Sequence, residues 1–305
     1  MDNYTFISSD QKSNVYTRIW PIDNNIQGII VVLHGLGDHI DNYDEFASTM
    51  NRNNYIVCGL DMIGFGKTTD ISKIGYYENR KEAYKNIVED VNTYIKKIKE
   101  TYNNIPVYIL GFSFGSVVAR SYINNYSNDI TGCILIGSPY IDTKFMRFCR
   151  FYTSYLAVGK GWDDRNVYLY KKTIENFNKT FENKQIPSWL NTNVSALMRV
   201  KDDPYATARL TISGYYVLYD LILRSESKKA IKNIRKDLPI LIMSGKDDPV
   251  TTFGNDVYTY NKIFTSNQIT NVTFKIYNNM RHDILNEYNK DIPLNDILKF
   301  LNTNK

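Results

Sequence analysis

The chain has 305 residues, of which 43% are hydrophobic, and it carries a formal net charge of +5. That length supports one sizeable hydrophobic core plus an insertion, and the sequence shows neither a membrane-spanning apolar run nor a secretory leader after Met1, so we expect a cytoplasmic protein. The lysines lie singly among acidic residues, which indicates a solvated surface, no nucleic-acid partner, and only weak, salt-dependent contact with anionic membranes.

Predicted strands and helices alternate through both ends of the chain. This alternation is typical of an α/β protein with a mainly parallel sheet covered by helices on both faces. Residues 5–9 and 15–20 predict an opening antiparallel pair of strands. Later strands are predicted near residues 28–33, 55–60, 106–111 and 130–137, and helices near residues 41–52, 79–102 and 114–126.

The alternation stops after Pro139, and sheet elements resume at Leu238. From about Tyr140 to Tyr205 the sequence is aromatic and irregularly helical, and we call residues 140–205 the insertion. Its aromatic side chains are interpreted as the small core of the insertion itself, packed on the main domain, with some of them expected to face Ser113. They are Phe145, Phe148, Phe151, Tyr152, Tyr155, Trp162, Tyr168, Tyr170, Phe177 and Trp189.

The pentapeptide Gly111–Gly115 has the sequence Gly-Phe-Ser-Phe-Gly, follows the apolar run 107–110 and precedes a predicted helix. A serine on a strand-to-helix turn has a strained backbone that exposes its hydroxyl, and the glycines let neighbouring backbone pass closely. The helix N-terminus supplies backbone N–H groups, including that of Phe114, to a developing oxyanion. The pattern alone also occurs in ordinary turns, but its context favours a nucleophile elbow with Ser113 as the nucleophile.

The search for a base is short, because the chain has three histidines, His34, His39 and His282. In an α/β-hydrolase triad the nucleophile comes first in the chain, the acid second and the histidine last. Only His282 follows Ser113. It lies after the strand-like run 272–277, so we expect it in a loop at the carboxyl end of a late strand, where catalytic loops gather. The alternative is an ordinary surface histidine.

The acid is expected between the serine and the histidine. Residues 238–245 predict a buried strand that ends in Lys-Asp-Asp-Pro, so Asp247 and Asp248 compete for the role. Successive residues point in different directions, and only one of the two carboxylates can orient an imidazole. Pro249 would stiffen the backbone next to Asp248.

A second oxyanion donor is expected near the start of the chain. The apolar run 29–33 leads into His34, Gly35 and Leu36, and the backbone N–H of Leu36 would act alongside that of Phe114. We interpret His34 as a structural residue of this loop and His39 as a helix-entry or pocket residue.

Several stretches taken together resemble the serine hydrolases called monoacylglycerol lipases or lysophospholipases, in the α/β-hydrolase superfamily. The resemblance covers nearly the whole chain, and it implies the α/β-hydrolase fold, with residues 1–139 and 206–305 as the core domain and the insertion as a cap over the active site. The matching stretches are His34–His39, Asp61–Gly66, Gly111–Gly115, Gly245–Asp248 and Arg281–Glu287.

The resemblance also implies residue roles. In that family the acid is the fourth residue of G-x-x-D, which is Asp248 here. The elbow departs from the family pattern, which usually places His and Met around the serine where this chain has Phe112 and Phe114. The departure concerns the shape of the acyl pocket and leaves the triad intact.

The implied activity is hydrolysis of a single-acyl lipid, a monoacylglycerol or a lysophospholipid, through an acyl-enzyme on Ser113, without a metal or organic cofactor. A short-acyl carboxylesterase or a thioesterase would use the same residues, and acyl transfer to another alcohol remains open. A non-catalytic binding protein with this fold would usually lack a triad member. The sequence gives no signal about oligomeric state.

The three cysteines cannot all pair within the chain. Cys58 and Cys133 fall in strand-like runs, where a buried thiol behaves as a small apolar residue. Cys149 lies in the insertion.

Overall fold

The computed structural model describes residues 3–181, 187–207 and 209–305. Residues 182–186 of the predicted insertion, and residues 1, 2 and 208 of the predicted core, lie outside the described residues. The described strands form one sheet in the order β1-β2-β4-β3-β5-β6-β7-β8. The strands are β1 (Thr5–Ile7), β2 (Asn14–Trp20), β3 (Gly28–Leu33), β4 (Tyr55–Leu60), β5 (Val107–Phe112), β6 (Gly132–Ile136), β7 (Ile240–Gly245) and β8 (Val272–Tyr277).

The sheet is parallel from β4 through β8, while β1 and β2 pair antiparallel to each other and β2 pairs antiparallel to β4. The predicted α/β fold with a mainly parallel sheet is confirmed.

Within the described residues the α-helices are α1 (Asp44–Asn51), α2 (Ala83–Thr101), α3 (Phe114–Tyr126), α4 (Thr143–Lys160), α5 (Val167–Thr173), α6 (Val194–Asp202), α7 (Ile212–Ser225), α8 (Lys228–Ile231), α9 (Asn255–Ser266) and α10 (Asp291–Thr303).

Every residue of β3 through β7 is buried, because helices cover both faces of the sheet. Side chains alternate between the two faces along each strand. In β3, Val31 packs into the core that contains α2 and α3, whereas Ile30 and Val32 pack into the core formed with α1 and α10. This double burial explains why the strands read as continuous apolar runs in the sequence.

The predicted element bounds differ from the structure by a few residues. Strand β1 ends at Ile7, because a turn follows in which Ser8 accepts a backbone hydrogen bond from Gln11 at 2.9 Å. Strand β6 ends at Ile136, before Gly137, whose φ of +59° breaks the extended backbone. Helix α2 begins at Ala83, four residues later than predicted.

The insertion contains α4, α5 and α6, and α4 packs along α7. The interpretation of its aromatic residues as a small internal core is wrong for Phe151 and Tyr155, whereas Phe145, Phe148 and Tyr168 line the cavity that contains Ser113, as expected for residues that face the serine. Helix α4 buries only one stripe of side chains, so its other faces stay uncovered. The aromatic residues of the insertion that are more than half exposed are Phe145, Phe148, Phe151, Tyr155 and Tyr168.

The carboxyl ends of the parallel strands meet at one edge of the sheet, as the parallel pairing requires. The loops after β3, β5, β7 and β8 carry the candidate residues Leu36, Ser113, Asp248 and His282. Among the described helices, none is both long and apolar enough to cross a membrane.

Candidate active site

Ser113 occupies the turn between β5 and α3 with a backbone φ of +52°. This left-handed conformation is uncommon for a non-glycine residue. The backbone N–H of Ser113 donates to the carbonyl of Ile136 at 2.8 Å, which fixes the turn against the next strand. A Cβ on Gly115 would lie 1.9 Å from the Leu33 carbonyl oxygen, and one on Gly111 would lie 2.4 Å from the Gly115 oxygen. The predicted elbow geometry therefore depends on both glycines.

The three triad candidates lie within hydrogen-bond distance of one another. His282 Nε2 is 2.8 Å from Ser113 Oγ, and His282 Nδ1 is 2.8 Å from Asp248 Oδ2. The His282 side chain is 1% exposed and that of Asp248 is fully buried, whereas Ser113 keeps partial access to solvent. A serine, an imidazole and a carboxylate in this order can activate a hydroxyl for attack on a carbonyl.

The two adjacent aspartates have different environments. Asp248 Oδ1 accepts the backbone N–H of Val250 at 2.8 Å, which leaves Oδ2 directed at the imidazole. Asp247 is exposed, and its backbone N–H donates to the carbonyl of Met280 at 2.9 Å. Of the two carboxylates, the structure brings only that of Asp248 to His282.

The His282 ring is held between two aromatic rings, with its centroid 5.0 Å from that of Phe112 and 5.3 Å from that of Trp189. Gly137 completes the contact, because a Cβ there would lie 2.7 Å from His282 Cε1. Sequence reasoning missed the roles of Trp189 and Gly137. Trp189 is separated from His282 by about ninety residues, and no local pattern signals that contact. Phe112, one of the two departures from the family elbow, therefore packs on the candidate base.

Glu287 ties the histidine loop to the insertion. Its buried carboxylate accepts the backbone N–H of Arg281 at 2.9 Å and that of Thr192 at 3.1 Å, and it also accepts the Thr192 hydroxyl. A carboxylate held by several donors resists displacement. The contact fixes the histidine loop next to the segment that carries Trp189.

The candidate oxyanion donors Leu36 and Phe114 both line the cavity that contains Ser113 and His282. Within residues 3–181, 187–207 and 209–305, neither of their backbone N–H groups donates to another group. Phe114 is the first residue of α3, where the helix geometry leaves the N–H without an intrahelical acceptor. The N–H groups are thus available to a negatively charged oxygen.

The other two histidines lie outside the triad. His34 is buried, lies 2.8 Å from the Gly35 carbonyl oxygen through Nδ1, and accepts the Met62 N–H through Nε2 at 3.1 Å. His39 Nε2 lies 2.7 Å from Asp203 Oδ2, which links the core to the insertion. Both histidines make contacts that fix loops.

A cavity of about 1310 Å³ opens above Ser113 and His282. Part of its wall is apolar and comes from α4 and α7, including Phe148, Cys149, Leu218 and Ile222. The pocket is larger than the about 300–1,000 Å³ typical of small-molecule sites. It can therefore accept an extended substrate.

A family model described as serine aminopeptidase, S33 (Hydrolase_4) matches residues 24–289. The chain belongs to this family. It is an α/β-hydrolase, an enzyme of the serine ester hydrolase class.

Two proteins are similar to this hydrolase in sequence, and one solved structure is similar to it in fold. The monoglyceride lipase homolog of Monkeypox virus is 22% identical over 282 residues, covering 90% of this chain and 88% of that protein. The monoglyceride lipase of Rattus norvegicus is 26% identical over 127 residues, 42% of this chain and 40% of that enzyme's length. The structure of a thermostable carboxyl esterase from Bacillus coagulans in complex with glycerol has a TM-score of 0.89 at 23% identity, covering 99% of this chain and 98% of that chain.

Two cysteines of the hydrolase behave as the sequence predicts. Cys58 and Cys133 are free and buried, and burial raises the pKa of both thiols to about 12. Cys149 is free and partly buried in the cavity wall, where burial raises its pKa as well. A raised pKa disfavours the reactive thiolate.

Asp283 follows the candidate base His282 in the chain, and its buried carboxyl makes us expect that the stability of the fold depends on pH. Burial raises the pKa of its carboxyl to about 6, although the Asn286 amide donates to Oδ2 at 2.8 Å. A carboxyl whose pKa is higher in the folded state stabilises the fold when it is protonated, and that contribution is lost as the pH rises through about 6. We expect Asp283→Asn to raise the free energy of unfolding by up to about 3 kcal/mol near neutral pH and to have little effect near about pH 4.

Urea unfolding of the parent and the Asp283→Asn variant at both pH values measures this difference. Asp247→Asn is the matched control, because Asp247 is exposed. An equal increase in the free energy of unfolding at both pH values would contradict the explanation by the raised pKa of Asp283.

Proposed function

We propose that this hydrolase cleaves the ester of a single-chain lipid, a monoacylglycerol or a lysophospholipid. The observation that carries the proposal is the meeting of Ser113, His282 and Asp248 at the base of a large cavity whose wall is apolar on the α4 and α7 side. An apolar wall favours an acyl chain, because each buried methylene contributes about 0.8 kcal/mol.

In the proposed mechanism, His282 takes the proton of Ser113 as the serine oxygen attacks the ester carbonyl. Asp248 holds the imidazole and stabilises its charged form, and the N–H groups of Leu36 and Phe114 stabilise the oxyanion. The alcohol leaves with a proton from His282, and an acyl-enzyme remains on Ser113. Water activated by His282 then releases the fatty acid.

The names of the relatives support a lipid ester and, more broadly, a carboxylic ester as the substrate. The viral and rat proteins are called monoglyceride lipases or homologs of them, and the Bacillus coagulans protein is a carboxyl esterase. The second candidate function is a short-acyl carboxylesterase. It would use the same triad and differ in how much of the cavity the acyl group fills.

We further propose that the insertion acts as a cap on the core, as the resemblance implies. The His39–Asp203 pair and the Glu287–Thr192 contacts support this division, since each joins the insertion to a core loop beside the site. A cytoplasmic location stays a prediction, and the three free cysteines are compatible with a reducing compartment.

Graded esters test the acyl specificity. With p-nitrophenyl esters and monoacylglycerols from acetyl to stearoyl, we expect kcat/KM to rise by up to about fourfold per methylene until the apolar side is full. Triacylglycerols should be poor substrates, because three chains do not fit one covered cavity. Acetyl and butyryl esters as the best substrates, without gain for longer chains, would favour the short-acyl esterase.

A paired substitution locates the acyl chain. Leu218→Trp adds bulk to the cavity wall on α7 and should move the preferred chain to a shorter length. Val158→Trp on α4 is the matched control, because Val158 is 89% exposed and lies outside the cavity wall. An unchanged chain preference in Leu218→Trp, with folding intact, would place the acyl group elsewhere.

A further inference from the structure

The cavity has two unlike sides. The side formed by α4 and α7 contributes aliphatic and aromatic residues and one thiol to the wall, and no charged residue. The charged wall residues come instead from α5 and the turn after it, from α6 and the segment after it, and from the loops after β3 and β8. An amphiphilic substrate would therefore be oriented, with its acyl chain on the first side and its polar end on the second.

Five cations of the described part of the chain belong to this second side, and we call them the basic rim. Each is exposed, and in the described ranges 3–181, 187–207 and 209–305 none forms an ion pair with a carboxylate. The rim consists of Lys171, Lys172, Arg199, Lys201 and Arg209.

Contacts of the rim are weak. Arg209 lies 5.3 Å from the Tyr170 ring centroid, and Lys172 lies 5.6 Å from that of Tyr168. Arg199 Nη2 reaches an amide oxygen at 3.5 Å. Unpaired cations clustered on one wall of a cavity produce a positive potential in it.

Among the described residues, three carboxylates also belong to the cavity wall, and two of them, in the loops after β3 and β8, are already hydrogen-bonded. Asp38 accepts the Asn42 amide at 2.8 Å and the Tyr43 hydroxyl at 3.1 Å, and Asp283 accepts the Asn286 amide at 2.8 Å. Glu175 is exposed. The cations outnumber these groups, so the described residues of the polar side carry a net positive charge.

We propose that the basic rim binds the phosphate of the substrate head group, which selects lysophospholipids with an anionic head group over neutral monoacylglycerols. The inference rests on the proposed function, since it extends the same site. Arginine and lysine donate charge-assisted hydrogen bonds to phosphate, and arginine does so bidentately. The acyl chain would lie between α4 and α7, the ester at Ser113, and the phosphate at the rim.

The test compares three octanoyl esters below their micellar concentrations: octanoylglycerol, octanoylglycerophosphocholine and octanoylglycerophosphate. We expect kcat/KM for the phosphate monoester to exceed that for the neutral ester by about tenfold or more, with the zwitterion between them. In the Lys172→Gln, Arg199→Gln, Arg209→Gln triple variant this ratio should fall by about tenfold. The ratio should also fall with added salt in the parent protein.

Lys229→Gln is the matched control, because Lys229 is an exposed lysine of α8 outside the cavity wall. Equal kcat/KM for the three esters, or a ratio unchanged in the folded triple variant, overturns the inference. The three esters are also assayed in anionic vesicles. A preference for the phosphate monoester that occurs only there overturns the inference, since the preference then comes from binding to the membrane surface. If octanoyl, acetyl and butyryl esters are all left intact, the proposed function itself fails.

Discussion

Replacement of Ser113 by alanine is expected to abolish both ester hydrolysis and labelling by a fluorophosphonate probe. Ser113 Oγ lies 2.8 Å from His282 Nε2, and its position at φ +52° exposes the hydroxyl at the base of the cavity. Loss of a triad nucleophile typically lowers turnover by about 10³ to 10⁶. Single-turnover and steady-state assays with a p-nitrophenyl ester measure the effect.

The matched control is Ser195→Ala, because Ser195 is an exposed serine of α6 and does not line the cavity. It should retain labelling and turnover. The thermal unfolding midpoint of Ser113→Ala should stay close to that of the parent, since the change removes one oxygen and keeps the backbone. Activity retained within tenfold of the parent would assign the nucleophile to another residue.

The fold was predictable from the sequence because both faces of the sheet are covered. Strands such as β3 and β5 are wholly buried, so they appear as uninterrupted apolar runs between helical segments. The candidates Ser113 and His282 also follow from the sequence, since chain order leaves one histidine after the elbow. The acid required the family resemblance, because the pattern around Asp247 and Asp248 does not reveal which carboxylate is buried.

The contacts between the insertion and the core were not predictable. Trp189 reaches His282 across the fold, and His39 meets Asp203 from about 160 residues away. Such pairs depend on how the insertion packs on the core, and local periodicity carries no information about them. The prediction that the aromatic residues of α4 form a core was wrong for a related reason. Their number predicts a core, but the helix has a packing partner on one side only, and Phe151 stays 70% exposed.

Asp248→Asn is expected to lower turnover by about 10² to 10⁴. The carboxylate accepts the Nδ1–H of His282, which leaves Nε2 unprotonated and able to take the Ser113 proton. An asparagine amide would donate to Nδ1 instead, so the proton would move to Nε2 and the base would be lost. Because Asp248 is fully buried, no water replaces the missing acceptor.

Asp247→Asn makes the same chemical change at the neighbouring, exposed position, and its turnover should stay within a few fold of the parent. Steady-state kinetics of both variants with one ester, together with urea unfolding, separate catalysis from folding. Asp248 Oδ1 also accepts the Val250 N–H at 2.8 Å, so a change at this position can affect the fold of the loop as well as catalysis. An asparagine oxygen can keep this bond, and we therefore expect Asp248→Asn to fold. A large loss in Asp247→Asn with near-normal activity in a folded Asp248→Asn would move the acid to Asp247, and the orientation of His282 would then require a different loop conformation.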